Sequence, residues 1–216
     1  MNKIKISLLA MAALFAVACH KKTKNVSMTV TASYPVITIN GSQFMSIPVG
    51  GSFTDAGATA VDTVLNETLS PISVTNDIDP TTPGFYTVQY TFKNSNGYVN
   101  TAARFVLVTN ISDTLDYSGV YRRTSNNAPM NVAKVAAGLY STDNVGGVAL
   151  PSSFAIKAYF GQIDDTTLVV PLQPTTAGDM YCVNSFIYAD VTADTTITWA
   201  VRNASFGTQQ RTFIHE

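Results

Sequence analysis

From about residue 25 onward, apolar and polar residues alternate with a period of two. Tyr86, Val88, Tyr90 and Phe92 fall on one face of a segment whose other face carries Thr87, Gln89 and Thr91. Side chains on an extended strand point alternately to opposite faces, so this pattern predicts a half-buried β-strand. A first block contains seven such segments: Ser27 to Ser33, Val36 to Ile39, Phe44 to Ile47, Ala58 to Val61, Ile72 to Thr75, Phe85 to Lys93 and Val99 to Val108. Asn40-Gly41, Val49-Gly50-Gly51, Pro80 to Gly84 and Asn94 to Gly97 supply turn chemistry between them. The count predicts a two-sheet sandwich.

A second block contains eight: Gly119 to Arg123, Asn131 to Val135, Gly138 to Thr142, Ser153 to Phe160, Thr166 to Pro171, Tyr181 to Ala189, Thr196 to Val201 and Gln210 to His215. Eight short strands joined by turns predict an antiparallel meander closing into a small barrel or sandwich. Ile197, Trp199 and Val201 alternate with Thr196, Thr198 and Ala200, which places Trp199 in a core. Helical periodicity is absent beyond the first nineteen residues, so the fold class is all-β. The expected domains are residues 26–110 and 113–216, meeting at the short polar join Asn110 to Thr114.

The N-terminus departs from this pattern. Lys3 and Lys5 precede an apolar run from Ile6 to Val17 broken only by Ser7, and Ala16-Val17-Ala18-Cys19 places small residues before a cysteine. A dozen apolar residues are too few to span a bilayer, which takes about twenty, so the run suits a cleaved leader. The segment resembles a bacterial lipoprotein signal, although Ala16 stands where many such signals carry leucine. The resemblance implies that residues 1–18 are removed, that Cys19 is the lipidation site, and that residues 19–25 form a tether to the outer membrane. The leaflet it faces is left open. Cys182 then lacks an intrachain partner, so burial alone must stabilise an exported chain. From Asn25 onward, eight basic side chains stand against fourteen acidic ones. That balance argues against nucleic acid as a partner, because phosphate backbones require clustered Lys and Arg. The basic run His20 to Lys24 suits either a position near anionic headgroups or a solvated tether.

Three stretches of the first block resemble a known family: Pro35 to Gly41, Val49 to Asp62, and Thr82 to Tyr90. They are similar, in order, to the bacterial immunoglobulin-like surface domain also found in pesticidal crystal proteins. Asn66-Glu67 and Asn94 stand where that family often has Asp-Gly and Asp. The resemblance implies a noncatalytic spacer or presentation module. Asp116 to Arg123, Val132 to Val135, Gly138 to Tyr140 and Gly146-Gly147 resemble the C-terminal domain of uncharacterised Bacteroides-type lipoproteins. The Gly119-Val120-Tyr121 opening also resembles the start of lipocalin-type barrels.

Candidate chemistry is sparse. The histidines are His20, beside the expected anchor, and His215, the penultimate residue, so a serine–histidine–carboxylate site would need a terminal base. No catalytic residue, metal site or cofactor is expected. Asp55, Asp62, Asp77 and Asp79 read as turn formers rather than calcium ligands, and the second block's aspartates fall mainly in turns rather than as a glycosidase pair. Aromatic rings remain, because a flat ring covers the apolar face of a sugar. Tyr159, on a polar strand face with Ser153 and Lys157, and Phe206, in the loop Asn203 to Gly207, are the candidate ligand-binding residues. The expected function is noncatalytic glycan binding through the C-terminal domain, with the first domain as spacer. A structural or adhesion role with an envelope protein partner is the alternative, and a glycosidase comes third.

Overall fold

A computed structural model describes residues 32–189 and 194–216. The expected Ser27 to Ser33 strand and Cys19 lie wholly or mostly outside these residues; Ser33 itself is not in a strand. The described chain is all-β. Fifteen strands run in order: β1 Val36–Ile39, β2 Phe44–Pro48, β3 Ala58–Asp62, β4 Glu67–Leu69, β5 Pro71–Asn76, β6 Gly84–Lys93, β7 Val99–Thr109, β8 Gly119–Arg123, β9 Pro129–Ala136, β10 Leu139–Thr142, β11 Ala158–Gln162, β12 Leu168–Val169, β13 Tyr181–Tyr188, β14 Thr196–Arg202 and β15 Gln210–His215.

The first seven strands form a sandwich of two sheets, ordered β1-β3-β4 and β2-β7-β6-β5. Its interior is the apolar face read from the alternation: Val88, Tyr90 and Phe92 are buried beside Ala60, with Ile47, Val106 and Val108 in a second cluster. The short strand β4 was not expected. Arg104 crosses this interior almost fully buried. Its Nε donates to Asp55 Oδ1 at 3.1 Å, and its terminal nitrogens donate to the carbonyls of Asn40 (2.7 Å), Gly57 (3.1 Å) and Ser42. One guanidinium thereby ties the loop at 40–42 to Gly57, whose carbonyl also accepts from Asn40 N.

The remaining eight strands form one antiparallel sheet ordered β12-β11-β10-β9-β8-β15-β14-β13. Every neighbour is next in sequence except β8 and β15, so the sheet is an up-and-down meander whose first and last strands pair. The ends of the sheet, β12 and β13, also meet. Ile187 N donates to Thr166 O at 2.8 Å and Cys182 N to Val170 O at 3.3 Å, with bridges at Thr167–Phe186 and Gln173–Met180. The result is a nearly closed barrel. Eight strands leave an interior just wide enough for side chains. Tyr140, Phe160, Trp199 and Phe213 pack ring against ring there, with centroids 5.3 to 5.6 Å apart, and Trp199 Nε1 donates to Val145 O at 2.8 Å. The interior is thus filled, unlike that of a ligand-carrying lipocalin-type barrel.

Two expected strands shorten. Residues 153–157 form a turn and irregular chain rather than the start of β11, with Phe154 N bonded to Ser152 Oγ and Ala155 N to Ser152 O. Residues 166–171 reduce to β12.

The second half of β7 is buried on both faces. Val106 and Val108 face the sandwich interior, while Phe105 and Leu107 pack with Phe44, Phe85, Leu139 and Tyr159 in a cluster between sandwich and barrel. Gly161 of β11 sits where a Cβ would lie 2.5 Å from Leu107 Cδ1 and 2.7 Å from Phe85 Cε2. Only glycine lets the barrel wall approach β6 and β7 this closely. Thr109 Oγ1 donates to Gln162 O at 2.6 Å across the same seam.

Candidate functional site

Tyr159 lies in the seam. Its ring stacks on Phe44 with centroids 3.9 Å apart and planes 9° apart, and Lys157 Nζ lies 5.0 Å from the ring centroid. The ring expected on an open polar face is half-buried and lines a cleft of about 380 Å³ with Gln43, Lys157 and Thr175.

Phe206 closes one end of the barrel. Its half-buried ring covers Gly146, leaving no room for a Cβ there, and the Arg211 guanidinium lies 5.5 Å from its centroid. The loop Asn144 to Gly147 is part of the same closure. Asn144 Nδ2 donates to Pro129 O and Val148 O at 2.8 and 2.9 Å, while Arg211 Nε donates to Gly146 O at 3.0 Å. Phe206, Gly146 and Arg211 thus hold one another in place.

A different aromatic surface stands on the outer wall. Strict alternation along β13 would place Tyr181 and Phe186 on opposite faces. A register shift between Val183 and Phe186, with Asn184 at φ 52°, inserts a β-bulge that changes the phase. Asparagine tolerates this left-handed conformation better than most residues. Cys182, Ser185 and Ile187 therefore point inward, and Tyr181 (41% exposed), Phe186 (36%) and Tyr188 (52%) all point outward. The Phe186 and Tyr188 rings lie 6.3 Å apart. Directly opposite on β14 stand Thr198 beside Phe186, Thr196 beside Tyr188 and Arg202 beside Tyr181. A row of rings thus runs alongside a row of hydroxyl and guanidinium donors. The bulge is the signal that sequence alternation missed.

Several carboxylates of the described residues serve structure. Asp62 accepts from the backbone N–H of Leu65 and Val64, from Asn94 and from Ser33, and these bonds, led by Leu65, hold its carboxyl below the usual range. Asp79 and Asp164 are lowered in the same way by Thr81 and Thr166 in their turns. Burial pushes the Cys182 thiol up to about 12, which leaves it protonated and unreactive.

Residues 37–108, which span most of the sandwich, match the family model described as bacterial surface protein, Ig-like domain. This is the family that Pro35 to Tyr90 resemble. Among solved structures the chain is similar to the lipoprotein BT2262 from Bacteroides thetaiotaomicron, at 22% identity and TM-score 0.37, covering 83% of this chain and 98% of that one. It is also similar to the M60 catalytic domain with the CBM51-1 and CBM51-2 domains of Clostridium perfringens ZmpB, at 13% identity and TM-score 0.30, covering 85% of this chain and 21% of that one. No curated protein matches.

Proposed function

We propose that the chain is a noncatalytic lipoprotein of the cell envelope that binds glycan on the outer wall of its barrel, with the immunoglobulin-like domain as spacer. The observation that supports this reading is the strip of Tyr181, Phe186 and Tyr188 beside Thr196 and Thr198. Rings cover the apolar faces of sugars while adjacent hydroxyls exchange hydrogen bonds with sugar hydroxyls. Affinity is modest, because an open wall buries little area and protein–sugar bonds replace water bonds at small net gain.

Glycan-array screening of the chain lacking residues 1–19 tests the reading. Tyr188→Ala and Phe186→Ala should each weaken the hits by roughly tenfold, about 1.4 kcal/mol. Unchanged binding in both variants refutes the strip, and an empty array beside a reproducible protein partner moves the protein to the adhesion and assembly class. The anchor rests on Ile6 to Cys19 and is tested separately. Intact mass of envelope protein should show a chain starting at acylated Cys19, and an unmodified soluble chain refutes it.

A further inference from the structure

The seam cleft at Tyr159 does not end there. A second cleft, of about 260 Å³, shares Gln173 and Pro174 with it, and a third, of about 370 Å³, shares Gln89, Ala103, Phe105 and Leu172 with the second. The three run end to end as one groove between sandwich and barrel.

One wall is the outer face of β6 and β7, where cross-strand pairs Thr87–Phe105, Gln89–Ala103 and Thr91–Thr101 stand in rows. The other is the connection of residues 172–179 between β12 and β13. That connection is tied down before any ligand arrives. The Gln173 side chain accepts from Tyr159 N at 2.9 Å and donates to Tyr159 O at 2.7 Å, while Asn203 Nδ2 donates to Ala177 O and Asp179 O at 3.1 and 2.9 Å. Leu172 is left 60% exposed within the groove.

The chemistry of the walls selects the occupant. Both β6 and β7 are paired on each side, so that wall offers no free backbone edge for an added peptide strand. Recognition there must come from side chains: amides and hydroxyls over an apolar floor of Phe105, Leu172 and Pro174. Lys157 against Asp77 and Asp179 gives no strong net charge. Such a lining suits a neutral, hydroxyl-rich chain. The groove also connects to the aromatic strip. Asp179 lines the groove and Tyr181 begins the strip; buried Met180 lies between them, so both side chains project outward in succession.

We infer that the seam groove and the outer strip form one continuous track for an extended neutral glycan, with Asp179 at the joint. This rests on glycan binding at the strip. The strip from Tyr181 to Tyr188 alone is about 20 Å long at the rise of a β-strand, so short oligosaccharides occupy it and longer ones continue into the groove.

The test is calorimetric titration of the chain lacking residues 1–19 with short and long members of the malto-, cello- and xylo-oligosaccharide series. Wild type is compared with Tyr188→Ala in the strip and with Gln89→Ala and Leu172→Ala in the groove, all checked for unchanged melting temperature. Long members of the bound series should bind at least roughly tenfold more tightly than short ones. Gln89→Ala and Leu172→Ala should abolish that gain and leave short members unaffected, whereas Tyr188→Ala should weaken both. Length-independent affinity, or groove variants silent on long chains, overturns the track and leaves the strip reading standing. Binding that responds to the groove variants but not to Tyr188→Ala overturns the strip and the shared track together. Absence of binding across all three series also overturns both.

Discussion

The two halves solve the same packing problem differently. The barrel encloses one apolar cluster of seventeen buried residues, dominated by Trp199 and the rings around it. The sandwich interior divides into two smaller clusters, bridged by half-buried Phe53 and Ile78. It completes them with buried polar side chains: Arg104 on Asp55 and three carbonyls, and Ser33 with Asn94 on Asp62. A sheet closed on itself has few edges to protect, so hydrophobic residues fill its centre, and its buried Asn144 and Arg211 bond loop carbonyls where the glycine-containing loop closes over it. An open sandwich whose smaller sheet has three strands leaves loops across its ends, and their backbone groups need partners. Closure therefore leaves the barrel's outer wall available for exposed aromatic residues, while Arg104, Asp62 and Asn94 inside the sandwich are engaged in holding it together.

That contrast predicts which substitutions hurt most. Trp199→Ala should cost about 3–5 kcal/mol, since it empties the centre of a filled barrel and orphans Val145 O. Chemical denaturation would measure it, and a loss below about 1 kcal/mol would contradict a single tightly packed interior. Arg104→Leu should cost less, about 2–3 kcal/mol. It removes a donor from three carbonyls and leaves Asp55 with the Tyr90 hydroxyl as its remaining side-chain partner, while partial access to water lets Asp55 recover some hydration. Destabilisation should begin in the sandwich, visible as faster hydrogen exchange at residues 40–57 before any change in the barrel.

Acid should have the smallest effect, and in the sandwich it acts through Asp62. The Asp62 carboxyl is held below its ordinary value near 3.8, so the stability it contributes is present above that value and lost as pH falls through its lower folded value. Melting temperature should fall as pH drops below about 4, and Asp62→Asn should flatten that fall. An Asp62→Asn profile identical to that of wild type would mean the Ser33–Asp62–Asn94 cluster does not bear on stability.

Much of this architecture was legible as alternation. Val88, Tyr90 and Phe92 point inward on β6, and Ile197, Trp199 and Val201 on β14, because each strand runs several residues without interruption and local geometry dictates which face each side chain takes. Eight barrel strands and their turns were read in the same way. Where the chain departs from strict period two, the reading lost phase. Residues 153–157 alternate in sequence, yet their backbone bonds to Ser152 and turns. At Asn184 one extra residue shifts every side chain beyond it to the other face, and nothing in the local composition marks that position.

The residues alone therefore determine the all-β class, the strands of both blocks and the placement of Trp199 in a core, since these depend on neighbours along the chain. Tertiary structure decided the rest. Phe44 and Tyr159 are 115 positions apart and meet only because Gly161 lets the barrel wall close on β6 and β7. Tyr181, Phe186 and Tyr188 share a face only because a bulge is accommodated where β13 pairs with β14 while also meeting β12. Contacts across the seam, and a phase change set by pairing partners distant in sequence, leave no periodic trace, because the energy that selects them comes from surfaces that exist only once the sheets have formed.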